Sequence, residues 1–267
     1  MKASVVISYY KNLPNLELIL LALNKQSAKG DFEAIVSEDD DVKVTTEFLD
    51  KIKPILSFPV IHITQPDDGF RKCKVLNKAI ESTTTDFIIF LDGDCVPHRH
   101  LVREYIGARL EGRVLYGRRV MLSEKISQRL LEKKNLRILN FINLILSGCK
   151  RIEEGLYLRL IPQRLKRKKS GLLLGCNMAL SKRDLIAING FDEDYTAPGG
   201  GEDSDIEWRL KAIGNISFYS MKFSAIVYHI YHQERFSKAM ELKNEEILAR
   251  KIQQGFFACK NGIRKLQ

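Results

Sequence analysis

Absent from this 267-residue chain is any apolar run near the ~20 residues that a membrane-crossing helix requires. Cysteine is sparse. The five residues at 73, 95, 149, 176 and 259 form no CxxC and no regular spacing, which favours reduced thiols in a cytosolic protein over a disulfide framework. The N-terminal "MKASVVISYY" has one lysine before a strand-like run and no small-residue cleavage site, so no secretory leader is expected. Internal repeats and low-complexity linkers are missing as well, which points to one domain spanning 1–267. Acid is in deficit, at 33 residues against 43 Lys and Arg, and the net charge of +10 calls for an anionic partner. With 45% apolar and 28% charged residues, the composition is that of a folded globular chain, not a disordered one.

What is present is a rhythm. "ASVVISYY", "FEAIVSEDDD", "PVIHITQ" and "DFIIFLDGD" read as strands that are apolar almost throughout, and helical patterns ("NLELILLALNKQS", "TTEFLDKIKPIL", "KCKVLNKAIES") separate them. A further helix, "RHLVREYIGARLEG", precedes a strand "RVLYGRRVML". Such alternation predicts an α/β fold whose mostly parallel sheet is covered on both faces and binds ligands beyond the carboxyl ends of its strands. Three ends stand out: Ser8-Tyr9-Tyr10, Glu38 to Asp41, and Asp92-Gly93-Asp94.

After residue 122 the rhythm stops. The apolar "LRILNFINLILSGCK" runs into a segment with eight basic and two acidic residues between Lys150 and Lys169, ending in "RLKRKKS". Residues 135–169 therefore fit either an element lying on an anionic membrane surface or a core helix followed by a solvated basic loop. From 171 the pattern resumes with "LLLGCNMALSKRDLIAINGFDEDY" (a strand, then a helix from about Lys182) and "GGGEDSDIEWRLKAIG" (a glycine hinge into a helix). "ISFYSMKFSAIVYHIYHQ" supplies one or two strands, and a C-terminal amphipathic helix follows. The expected division is a nucleotide-binding half at 1–122, a basic insertion at 123–170, and a catalytic half at 171–267.

Two carboxylates leaving a buried strand need neutralisation. Asp92 and Asp94 lie two apart, so extended backbone projects both to one side, and Gly93 lets a ligand or backbone come close. Without a surrounding acidic cage they suit Mg²⁺ or Mn²⁺ completed by phosphate oxygens, although a bare Asp-Gly-Asp is as readily a helix-capping turn. In "GGGEDSDIEWRL", Glu202 and Asp203 stand at a helix start behind three glycines, where an ionised carboxylate in a closable pocket can act as a general base; capping alone would need one acid. "VYHIYHQE" adds His229 and His232 as candidate ligands. Trp208, the single tryptophan, is expected in the core in preference to stacking on a sugar.

Taken together, "SVVISYY", "GFRKCKVLNKAI", "FLDGD", "GCNMALSKRDLIAINGFDEDY" and "GGGEDSDIEWRL" resemble a family 2 glycosyltransferase of the GT-A fold. The second half resembles β-1,4-galactosyltransferases and chondroitin-polymerase-type domains. The resemblance implies an inverting transferase that uses a nucleotide-diphosphate sugar, most often a UDP-sugar, with Mn²⁺ or Mg²⁺. It implies that Asp94 ligates the metal, that Asp92 meets ribose or metal, and that His232 or His229 completes the set. Ser8, Tyr9, Glu38, Asp39, Gly93, Arg71 and Lys74 fall at the donor-binding positions, with Asp203 as base and Glu202 orienting the acceptor. "SEDDD" departs from the family's usual Asp-Asp-Gly-Ser turn, which leaves open which acid meets the nucleotide.

The implied acceptor is a glycan or a lipid-linked glycan such as a lipopolysaccharide or capsule precursor, in a cytoplasmic bacterial-type enzyme held peripherally at the inner membrane face. A nucleotidyltransferase would share the sheet and the metal but give no purpose to "GGGED". A basic nucleic-acid-binding protein would leave both acidic constellations unexplained, and no nucleic-acid partner is expected.

Overall fold

The computed structural model describes residues 1–165, 171, 173–233 and 236–266. Strands β1 (Ala3–Tyr9), β2 (Phe32–Glu38), β3 (Val60–Ile63) and β4 (Phe87–Asp92) are linked through helices α1 (Leu13–Asn24), α2 (Lys43–Ile52) and α3 (Lys72–Ser82). They lie parallel in the order β3-β2-β1-β4. β5 (Cys95–Pro97), α4 (Leu101–Ala108), β6 (Arg113–Tyr116) and β7 (Arg118–Met121) follow, and then α5 (Glu124–Lys133) and α6 (Phe141–Leu146). The chain continues with β8 (Met178–Ser181), α7 (Lys182–Ala187), α8 (Glu202–Ile213), β9 (Ser217–Ser220), β10 (Ile226–His229) and α9 (Lys238–Gln254). The large sheet extends as β4-β8-β6-β9, with β8 antiparallel to both its neighbours, and β5-β10-β7 form a second, small sheet.

Strand alternation sets the two cores. Val5, Ile7, Ile89 and Leu91 pack on one face with α1, α2 and α4, while Val6, Ile88 and Phe90 pack on the other with α3, α7 and α8. Both faces are apolar because both are covered, which explains why the strands read as unbroken apolar runs.

The single strand expected from "RVLYGRRVML" is two strands in different sheets. Gly117 is the break: a Cβ there would lie 2.1 Å from Asn177 Nδ2, and its N–H donates to the Asn177 carbonyl at 2.8 Å. Asn177 Nδ2 donates to Arg118 O and Ala225 O, and its Oδ1 accepts from Tyr105 Oη, so one buried amide ties the two sheets together. "ISFYSMKFSAIVYHIYHQ" likewise divides into β9 and β10, one in each sheet.

The apolar run at 136–150 forms no single long helix. It gives a 3₁₀ turn at Leu136–Ile138 and the six-residue α6. Arg151 to Leu165 add two more short 3₁₀ turns, and Lys166 to Ser170 of the basic run lie outside the described residues. All five cysteines are free. No helix among the described residues is long and apolar enough to cross a membrane.

Candidate active site

The carboxyl ends of β1 and β4 meet side by side, with Ser8 paired to Asp92 in register. The next residue after β4 must be glycine: a Cβ on Gly93 would sit 2.7 Å from the Ser8 carbonyl oxygen and 3.3 Å from Tyr9 Cα. This close approach leaves a cavity of about 260 Å³ lined by Ser8, Tyr10, Asn12, Asn15, Lys72, Asp92, Gly93, Asp94 and His232. Tyr9, by contrast, is buried in the core and holds the Asp39 N–H through its carbonyl; Tyr10 is the tyrosine that faces the cavity.

Lys72 joins the two acidic constellations. Its Nζ donates to Asp92 Oδ1 at 2.9 Å and to Glu202 Oε1 at 3.3 Å, across 130 positions of sequence. Burial alone would lower the lysine's pKa, but the Asp92 and Glu202 charges outweigh it and hold the ammonium protonated. The Asp-Gly-Asp end of β4 and the start of α8 therefore share one cleft.

Asp94 makes a different set of contacts. Its Oδ2 is 3.4 Å from His229 Nε2 and 3.1 Å from His232 Nε2, and the three ligand atoms lie within 4.8 Å of one another. Burial would raise the Asp94 pKa, but the His232 bond and the His229 charge bring it down to about 2. His232 donates Nδ1–H to the Gln233 carbonyl at 2.9 Å, so in the neutral ring Nε2 turns its lone pair toward the carboxylate. His229 has its pKa lowered, chiefly by burial, and its Nδ1 lacks a hydrogen-bond partner. One carboxylate and two imidazoles whose ligand atoms converge in this way form a donor set that fits a divalent metal. Both histidines that the sequence left as alternatives reach Asp94.

Glu202 and Asp203 open α8, where unpaired backbone N–H groups favour negative charge. Asp203 accepts from Ser204 N at 2.8 Å and Gly175 N at 3.4 Å, and it has no cation of its own among the described residues. Burial first, and then the Glu202 charge, push its pKa up to about 6, with Lys72 acting the other way. The glycine just before the pair is closely packed: a Cβ on Gly201 (φ 108°) would meet Tyr195 Cε1 at 2.9 Å and Asn244 Cβ at 3.0 Å. Asn244 of α9 donates to the Ala197 and Gly200 carbonyls and pins the loop. Asp205 pairs with the fully buried Arg209, which donates to the Ile188 and Gly190 carbonyls and anchors α8.

Besides Tyr9, four expected donor residues lie outside that cavity. Glu38 is buried, accepting from Thr45 Oγ1 and contacting His62 Nε2, both at 2.6 Å. Asp39 accepts from Gln65 Nε2 at 2.6 Å and the Arg71 N–H at 2.8 Å, and burial raises its pKa. Arg71 and Lys74 line a larger cavity of about 760 Å³ with residues of α9, which holds none of Asp92, Asp94, Glu202 or Asp203. Trp208, expected in the core, is half-buried and belongs to neither apolar cluster. Sequence reading passed over Lys72 and Asn12, and it marked Tyr10 only as part of the first strand's end. For Lys72 a signal existed, because it shares the apolar face of α3 with Leu76, Ala79 and Ile80.

Comparison with known proteins gives the family and the fold. The sequence model of "Glycosyl transferase family 2" matches residues 4–186, and that of "N-terminal domain of galactosyltransferase" matches residues 162–233. A chondroitin synthase of Escherichia coli is 25% identical over 244 residues, which is 85% of this chain and 34% of that protein. An uncharacterised glycosyltransferase of Bacillus subtilis (strain 168) is 32% identical over 108 residues, 40% of this chain and 27% of that one. The chain thus spans about a third of the length of these relatives. Among solved structures, S. aureus TarS superposes with a TM-score of 0.62 at 17% identity over 94% of this chain and 40% of its own. GalNAc-T7 with UDP, GalNAc and Mn²⁺ gives 0.64 at 14% over 93% and 47%. These structural neighbours share the GT-A fold with this chain. With its family match covering more than half its length, the chain belongs to glycosyltransferase family 2.

Proposed function

We propose that the chain transfers a sugar, with inversion, from a nucleotide-diphosphate sugar (a UDP-sugar) to a hydroxyl of a glycan or lipid-linked glycan. The observation that carries this reading is Lys72 bonded to both Asp92 and Glu202, because a donor diphosphate and an acceptor hydroxyl must occupy one cleft. Ser8, Gly93 and Asp92 border the donor's side of that cleft, and the Lys72 ammonium offers positive charge beside the diphosphate.

Asp94, His229 and His232 would hold the divalent ion. Two imidazoles beside one carboxylate favour Mn²⁺ over Mg²⁺, which prefers all-oxygen ligands. When bound, the ion supplies positive charge that stabilises the departing diphosphate.

Of the four cleft acids, Asp92 and Glu202 share a lysine and Asp94 has two histidines; among the described residues Asp203 alone is left without a paired cation. It is the acid best suited to take a proton. Asp203 removes the acceptor hydroxyl proton as the new oxygen–carbon bond forms on the face opposite the leaving group. The anomeric carbon–phosphate oxygen bond breaks, and the nucleoside diphosphate departs with the electron pair. Glu202, fixed by Lys72, orients the acceptor.

Supporting a membrane-side acceptor, the basic and apolar 135–169 segment suits a cytoplasmic enzyme that works at an anionic inner-membrane face. The test is a panel of nucleotide sugars with Mn²⁺, scored for nucleoside diphosphate release, with Asp203→Asn in parallel. Release that disappears in the variant is expected. Release of pyrophosphate instead, or turnover of no nucleotide sugar, refutes the reading.

A further inference from the structure

Helix α6 turns apolar side chains in two directions. Leu144 is buried at 1% exposure, while Ile142 (68%), Ile145 (51%) and Leu146 (78%) form an outward stripe at i, i+3, i+4. From Lys133 to Arg151 the chain has five cations and no acid. Beside the preceding turn lies a cavity of about 570 Å³ whose walls include Lys25, Arg99 and Arg137 with Leu136 and Leu139, and whose lining contains no carboxylate. None of the three cations pairs with a carboxylate among the described residues, and His98 in the same wall has a buried Nδ1 with no hydrogen-bond partner. Tyr228 lines this cavity, and the next residue, His229, belongs to the Asp94 cluster, so the two sites are one residue apart along β10.

We propose that this face docks on an anionic phospholipid bilayer. Ile142, Ile145 and Leu146 enter the acyl boundary, and a lipid phosphate is held by Lys25, Arg99 and Arg137. The proposal rests on the membrane-side acceptor reading above and deepens it, by assigning the contact to α6 and this cavity. Charge complementarity selects the occupant: three cations without carboxylate partners among the described residues, in a cavity lined by no acid and next to an outward aliphatic stripe, match a lipid headgroup above its tails.

The test is co-sedimentation with vesicles of phosphatidylcholine alone or mixed with one-third phosphatidylglycerol. The proteins are the full chain, K25Q/R99Q/R137Q, I142S/I145S/L146S, and Lys238→Gln as an exposed control on α9. Binding only to the anionic vesicles is expected. Each lost cation should weaken it roughly five-fold, or about 100-fold for the triple variant; the apolar variant should lose at least ~10-fold, and the control nothing. Thermal melting of each protein separates misfolding from lost contact. Equal binding to neutral vesicles overturns the proposal, as do unchanged affinity in both variants and capture of free glycerol phosphate without vesicles. Nucleotide-sugar turnover is measured without vesicles on the same proteins: in the two variants it should persist while vesicle binding is lost, whereas an unsubstituted chain that turns over but binds no anionic vesicle refutes the docking face and leaves the transferase reading standing. Vesicle binding with no turnover refutes the reading of the cleft alone.

Discussion

Replacing Lys72 with methionine removes the one group bonded to both halves of the cleft while keeping most of its volume. The ammonium is 17% exposed, and its partners Asp92 and Glu202 are 25% and 10% exposed. Stranding a carboxylate by deleting its buried partner costs about 3–5 kcal/mol. Water reaches Asp92, so the expected loss is nearer ~2–3 kcal/mol, which lowers the melting temperature by roughly 5–10 °C for a chain of this size. That loss alone would fit any structural ion pair.

The discriminating readout is the pH profile. Asp203 stands at about 6 because burial and the Glu202 charge raise its pKa while Lys72 lowers it. With Lys72 gone a lowering charge is lost while burial and the Glu202 charge stay, so the acid limb of kcat/KM moves above its wild-type position near 6. Lys72→Arg, which keeps the charge, should restore the limb toward its wild-type position. Nucleoside diphosphate release measured from about pH 5 to 9 reads this directly. If Lys72→Met loses stability but leaves the acid limb where it was, Asp203 is not the base that senses this lysine, and the proposed division of roles fails.

Wild-type kcat/KM should fall as pH drops through about 6, where Asp203 takes up a proton, and Asp203→Asn should abolish turnover with little change in donor affinity by calorimetry. Gly93→Ala places a methyl 2.7 Å from the Ser8 carbonyl and must spread the β1 and β4 tips. A stability cost of about 1–3 kcal/mol and a fall of ~10²-fold in kcat/KM are expected, read by melting and steady-state rates. Chelation should abolish activity, with Mn²⁺ restoring it better than Mg²⁺, and His232→Ala should weaken Mn²⁺ binding by isothermal titration ~10-fold or more. Asn244→Ala frees the Ala197 and Gly200 carbonyls and should raise the acceptor KM more than it lowers kcat.

The parallel half of the fold was legible because its signals are local. Unbroken apolar strands state that both sheet faces are covered, and the helices between them carry their own periodicity. Where the reading fell short, the deciding contact was distant. "RVLYGRRVML" looks like one strand because nothing nearby shows that Asn177, sixty residues on, occupies the space beside Gly117 and turns the chain into a second sheet. The apolar run at 136–150 looked like one helix, since composition does not show which side chains find a core. Only Ile138 and Leu144 are fully covered there.

The site divides along the same line. The acids were visible as strand-end and helix-start motifs, because a carboxylate at such a place needs a reason. The cation that joins them was misjudged, and here the information was local after all. On a wheel of 100° per residue, Lys72 falls within 40° of Leu76 and 20° of Ala79, on the buried side of α3, whereas Lys74 falls at 200°, beside the outward Lys78 and Glu81. A lysine on the apolar face of a helix that starts below two strand-end acids cannot stay charged there without them. Its place on the wheel therefore required buried carboxylate partners before any coordinate was known. Asp92 and Glu202 are those partners, and the ammonium lies between them.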